Sequence, residues 1–266
     1  MNKTILFILF IVLSFSGVSQ SKQKKILIVS TNVDTVGTNV SGTYAMEIAH
    51  PWKTFTDKGF DVDVVTPKGG KAAIYNAAKT DDDIVQIQNN EAFIKTTTNT
   101  LSPTQVNPKD YVAIFYPGGH GQYFDVISDE RIAVIAAAIY ENGGYLGTAG
   151  HGAASILDIR LKNGKFLIEG KRMTVFPLWA EKEWMNISNF GKLLQFDMQE
   201  VALRRGANLI VCTKATIDDN TLTRVIDTKN RMVTGSFARS AKWVSEEDGE
   251  DDGYLNKVVS AFIDMS

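Results

Sequence analysis

The chain has a single cysteine, Cys212, among 266 residues, so it can form no internal disulfide and build no cysteine-rich zinc site. Histidine is nearly as scarce, with three in all. There is no excess of either charge: 28 Lys and Arg against 30 Asp and Glu leave a formal net charge of −2. That balance excludes the concentrated basic surface on which nucleic-acid binding depends. No apolar run reaches the roughly 20 residues a membrane-spanning helix needs. No internal repeat is visible. What is present is ordinary for a globular chain: 44% hydrophobic and 22% charged residues, which excludes a mostly disordered protein.

The N-terminus reads as a secretory leader. Lys3 supplies a positive start, residues 5–13 form an unbroken apolar run of nine, and Gly17-Val18-Ser19 offers a small-x-small cleavage signature before Gln20. The alternative is a buried first strand. With no cysteine after the run, a lipoprotein anchor is excluded, and no stable membrane anchor is expected. The expectation is therefore a signal peptide over 1–19, one domain over 20–266, and an exported protein, periplasmic or secreted.

The remainder alternates strand and helix signals. Short β-branched or aromatic runs at 25–30, 60–65, 112–116, 145–148, 208–212 and 231–234 predict strands. Helices are expected at 44–58, 131–141 and 152–157, with a last one at 254–265. Such alternation predicts a mostly parallel sheet with helices on both faces and a ligand site at the carboxyl ends of its strands. The polar, weakly periodic stretch 72–108 reads as an inserted lid or excursion. The acidic segment 245–253 lacks EF-hand spacing and reads as a solvated turn.

All three histidines sit beside glycine or proline: His50 before Pro51, His120 in Gly118-Gly119-His120-Gly121, and His151 in Gly150-His151-Gly152. Two of these turns directly follow predicted strands. Their shared placement points to a common pocket. Glu47 accompanies them from an apolar helix (Tyr44, Ala45, Met46, Ile48, Ala49), where burial would raise its pKa, as proton transfer requires. The run Tyr145 to Ala154 has the strand–sharp turn–helix layout of a nucleophile elbow, in which a strained turn residue presents its side chain beside backbone amides. The residue at this tip is Gly150, which has no side chain.

These blocks resemble the ThiJ/PfpI superfamily, with its class I glutamine amidotransferase-like fold. They are most similar to the branch containing glutathione-independent glyoxalases (glyoxalase III) and related heat-shock chaperones. The resemblance runs from about Lys25 to Thr234. It rests on Ser41-Gly42-Thr43-Tyr44 with Glu47 and His50-Pro51, Gly59-Phe60-Asp61, Gly119-His120-Gly121, Asn142-Gly143-Gly144, His151-Gly152 and Val233-Thr234-Gly235. It implies a flavodoxin-like doubly wound sheet, no cofactor and a homodimer. It also implies a catalytic cysteine just before the elbow histidine, where this chain has Gly150. Residue by residue, Glu47 matches the acid beside that cysteine and His151 its histidine partner, while Gly119 and the backbone around Gly150 and His151 match the oxyanion region. A downstream segment that carries an Asp in the family has Leu178 here, with Glu181 following.

In the family's lyase reaction a thiolate adds to the aldehyde of a 2-oxoaldehyde such as methylglyoxal, and acid/base groups then move protons until a 2-hydroxy acid leaves. Gly150 cannot form that adduct, and loss of a nucleophile removes orders of magnitude in rate. The expectation is a weakened or non-catalytic member that binds a small carbonyl or carboxylate, or a protein, through a pocket of Glu47, His50, Gly119, His120, Gly150 and His151. A thiol-independent lyase or hydrolase with Glu47 and His151 as acid/base is the alternative, and a holdase role is implied only by the family branch. Thr148 and Ser155 are the nearest hydroxyls in sequence. No metal site is expected, since a compact motif is lacking; its weaker variant has the histidines and Glu47 as ligands.

Overall fold

The computed structural model of the chain describes residues 25–76, 80–187 and 196–245. The expected leader, the acidic segment from residue 246 onward and the expected helix at 254–265 lie outside them.

Six strands form the central sheet: β1 (Lys25–Val29), β2 (Asp61–Val65), β3 (Tyr111–Tyr116), β4 (Tyr145–Ala149), β5 (Arg224–Asp227) and β6 (Met232–Gly235). Their order is β5-β6-β4-β3-β1-β2, and every pairing is parallel except β5 with β6. This is the flavodoxin-like doubly wound arrangement. The chain adds β2 on one side of β1 and then crosses to add β3 on the other, so strand order reverses between β1 and β3. At such a reversal the loops leaving the carboxyl ends diverge and open a crevice.

Strand alternation explains why both faces are covered. In β1, Ile26 and Ile28 enter one apolar cluster while Leu27 and Val29 enter the other. In β3, Ala113 and Phe115 face the first cluster, and Ile114 and Tyr116 the second. A strand apolar on both sides is stable only between two layers of helices. One layer holds α1 (Ala45–Asp57), α2 (Asp82–Gln88), α3 (Glu91–Thr98) and, near the end of the described chain, α8 (Arg239–Ser245). The other holds α4 (Glu130–Glu141) and α6 (Met198–Arg204). Two further helices, α5 (Leu178–Ile187) and the single turn α7 (Asn220–Thr223), lie among the described residues. Among the described residues no helix is long and apolar enough to cross a membrane.

The polar stretch 72–108 takes the form of an excursion between β2 and β3. Its helices α2 and α3 bury Ile84, Ile87 and Phe93 in the α1 layer, where Trp52 meets the Phe93 ring edge-on at 5.2 Å. The strand expected at 208–212 shrinks to Asn208–Leu209, paired with Arg172–Met173 outside the main sheet. Cys212 is buried beyond it and belongs to no strand.

Candidate functional site

The turns after β3 and β4 meet at the carboxyl end of the sheet, and α1 is fastened to them by the residues just before it. Tyr44 donates its backbone N–H to the Gly118 carbonyl at 3.1 Å, and Gly121 donates to the Gly42 carbonyl at 3.3 Å. This approach requires glycine at 119, which has φ +108°; a Cβ there would run into the backbone of Gly42 and Tyr44. Gly152 is required for the same reason, because its Cβ would collide with the Tyr116 carbonyl. Backbone is thus pressed on backbone, and α1 can bring Glu47 in under the elbow.

Glu47 is 3% exposed. Its carboxyl accepts the Gly118 backbone N–H, while Oε1 has no hydrogen-bond partner. Burial of a group that water would otherwise solvate pushes its pKa up to about 8, the Gly118 bond opposing only part of the shift. At neutral pH Glu47 is therefore mostly a neutral acid. The elbow tip follows β4: Gly150 has φ +49° and opens a 3₁₀ helix over Gly150–Ile156, two residues before the helix start expected at Gly152. A Cβ built at Gly150 would overlap Oε1 of Glu47, and one at Gly118 would meet both carboxyl oxygens. The acid lies in the space that a side chain at the tip would take.

Beside it, the His151 ring is clamped. Phe176 stacks on it at 4.3 Å between centroids, His120 lies at 4.2 Å, and Tyr123 presents an edge at 6.0 Å. His151 Nε2 shares a 2.7 Å hydrogen bond with Glu181 Oε2, and both residues are buried. Desolvation, with repulsion from His151 next, holds the His120 imidazole neutral by lowering its pKa far below the usual range. A base with an orienting carboxylate is the supporting half of a nucleophile triad. The neighbouring hydroxyls do not supply the missing half. Ser155 donates to Gln122 at 3.3 Å, and Thr148 is fully buried within β4.

Of the residues singled out from sequence, Glu47, Gly119, His120, Gly150 and His151 converge here. His50 does not, which corrects the expectation of one pocket for all three histidines. It shares a 2.9 Å bond from Nε2 with Asp83 of α2, and lines a separate groove of about 420 Å³ with Lys53, Asp57 and Gln86. It lies nearly a full turn further along α1 than Glu47, about 4.5 Å down the helix axis, and there it meets α2 instead of the elbow. Glu181, which follows Leu178 in the segment that carries an Asp in the family, is the site residue that was not placed in the pocket from sequence. Beyond that resemblance its local signal is Pro177, whose carbonyl accepts the N–H groups of Ala180 and Glu181 at 3.0 Å each and so starts α5. A glutamate in a first helical turn is common for reasons of helix polarity alone, so nothing in the chain marks it as a partner of His151.

The match to the DJ-1/PfpI family spans residues 38–191. The glutathione-independent glyoxalase HSP31 of Saccharomyces cerevisiae is 33% identical over 162 residues, 58% of this chain and 68% of that one. Glyoxalase 3 of Candida albicans is 26% identical over 215 residues, 78% of this chain and 88% of its own. The crystal structure of glyoxalase III from Candida albicans superimposes with a TM-score of 0.70 at 25% identity, covering 90% of this chain and 98% of that one. With its parallel sheet, its elbow and these similarities together, the chain belongs to the DJ-1/PfpI family, in the glyoxalase III-like branch of the ThiJ/PfpI superfamily.

Proposed function

We propose that this protein is an exported family member that keeps a glyoxalase III-type pocket without its nucleophile, and binds a small carbonyl or carboxylate compound there with little or no turnover. One observation carries the reading: His151 and its orienting Glu181, 2.7 Å apart, converge on an elbow whose tip, Gly150, offers no side chain. The protonated Glu47 carboxyl fills the space instead. The chain's only thiol, Cys212, is buried where its carbonyl accepts from Trp179 Nε1 at 2.9 Å, and does not occupy the elbow tip. Binding needs fewer parts than turnover: backbone amides around Gly119 and His151 for an oxygen, and the imidazoles for polar contact. Such losses often free a strained position, since a side chain at φ +49° costs stability that glycine does not.

The thiol-independent alternative has one observation in its favour. A carboxyl with a pKa of about 8 is a proton donor near neutral pH, where an ordinary glutamate is not. In that case Glu47 protonates the substrate carbonyl and His151 removes the carbon-bound proton.

Pyruvate and lactate carry the relevant groups without the reactivity of an aldehyde, so they serve as probes. In proton NMR, saturation of the protein is expected to transfer to either probe, and the transfer to fall at least about tenfold in His151→Ala, since a buried polar partner is worth about 1.4 kcal/mol or more. Absence of transfer to both, or transfer untouched by His151→Ala, would remove the pocket from the account.

A further inference from the structure

We infer that His120, His151 and Glu181 form a binding site for a divalent transition-metal ion, with Zn²⁺ the ion best matched to the donors. One imidazole nitrogen from each histidine and one carboxylate oxygen of Glu181 all lie within 4.8 Å of one another, and all three residues are buried. They come from three elements: the turn after β3, the turn after β4, and the first turn of α5. The site therefore exists only in the folded chain, and no short motif announces it. The site stands whether or not the pocket also takes a carbonyl ligand.

Glu181 supplies the second observation. Oε2 is engaged with His151, whereas Oε1 is buried, in a residue 9% exposed, with no hydrogen-bond partner. A carboxylate oxygen shut from water and left unpaired is costly, and a cation between it and the imidazoles answers that cost. The ring positions are preset as well, since Phe176 and His120 both pack against the His151 ring, at 4.3 and 4.2 Å between centroids. Ordering those side chains is therefore not charged to the binding step.

Donor chemistry narrows the choice to a divalent transition metal. Two imidazoles and one carboxylate make the ligand set of open-position zinc sites, where a water or substrate oxygen takes the fourth place. Calcium and magnesium want oxygen donors throughout, and with no cysteine among the three donors a soft thiolate site of the Cu(I) kind does not arise here. Zinc–ligand distances of about 2.0–2.2 Å at tetrahedral angles require about 3.3 Å between donors. The His151–Glu181 pair, now 2.7 Å apart, has to open by roughly 0.6 Å, which a rotation of the Glu181 carboxyl supplies. Glu47, the acid that sequence reasoning grouped with the histidines, is not a ligand; it faces Gly118 and Gly150.

The test uses the mature chain purified without an affinity tag, stripped of metal and titrated calorimetrically with Zn²⁺, with Co²⁺ as a visible reporter. One equivalent is expected to bind at low micromolar concentration, and Co²⁺ to give the visible bands of a tetrahedral site. Glu181→Gln and His120→Gln should each weaken binding by at least about 100-fold, beyond the 10–100-fold typical of a ligand's outer partners. His50→Gln, at the separate groove, should leave it unchanged. No bound equivalent, a Co²⁺ spectrum without tetrahedral bands, or binding that survives both ligand substitutions would overturn the site. Should a ligand variant fail to fold, as circular dichroism would reveal, the wild-type Co²⁺ spectrum still decides.

Discussion

Replacing Glu47 with glutamine is expected to make the protein several kcal/mol more stable at pH 9, relative to wild type, than it is at pH 5. The sign follows from where the proton is held. Burial raises the folded-state pKa of Glu47 to about 8, against about 4.5 for an ordinary glutamate. Below pH 4.5 both states of the chain are protonated at this position and the buried acid is tolerated in full. Between 4.5 and 8 the folded state holds a proton that the unfolded state has released, so stability falls as pH rises, by up to about 1.4 kcal/mol per pH unit. Above 8 the contribution is gone. The whole window amounts to about 3–5 kcal/mol. Glutamine has no proton to lose, so Glu47→Gln should lack this slope, whatever constant offset its amide introduces. Denaturant unfolding of both proteins at pH 5, 7 and 9 measures the difference directly. Parallel pH dependences would mean that Glu47 is not the buried neutral acid described here.

Gly150→Ala carries the second large effect. A non-glycine residue in the left-handed region costs about 1–2 kcal/mol, and Gly150 has φ +49°. The new methyl also overlaps Oε1 of Glu47, and overpacking of a closed interior costs typically 1–3 kcal/mol more. The expected loss is about 2–5 kcal/mol. The two terms separate in a double-mutant cycle. With Glu47→Ala already in place the overlap is removed, so the same substitution should cost only the backbone part, about 1–2 kcal/mol. Equal costs in the two backgrounds would show that the carboxyl does not occupy the space at the tip.

The fold was largely readable because its signals are local. β1 and β3 are short runs apolar on both faces, each broken by turn residues, and Asn142-Gly143-Gly144 stops α4 as a glycine should: Gly143 has φ +92°. His120 and His151 could be placed because each immediately follows a strand, and parallel strands gather their ends. The excursion was harder. α2 buries only Ile84 and Ile87 and α3 only Phe93 and Thr97, too few positions for a clear helical period. The site was legible only as far as single turns go. His50 looked equivalent to the other histidines, yet it lies within α1, almost one turn further along the axis than Glu47, where it meets Asp83. Glu181 is 30 residues from His151, and its contact exists only after α5 docks. Neither distinction has a signature in neighbouring residues.

The glycine at the tip joins these results. Gly150 removes the side chain that would otherwise meet the substrate, admits the Glu47 carboxyl into its place, and leaves the His151–Glu181 pair with no nucleophile to activate. In the proposed reading, a thiol restored at this position has to displace the carboxyl, at a stability cost comparable to that of alanine, and regains chemistry in exchange.

The most direct test is the rate of lactate formation from methylglyoxal, with wild type and Gly150→Cys run side by side in one buffer. The account predicts wild-type conversion no faster than the uncatalysed reaction, and conversion by Gly150→Cys at least about 100-fold above it, a small part of what a lost nucleophile removes. Rapid conversion by the wild type, abolished by Glu47→Gln and not increased by Gly150→Cys, would contradict it.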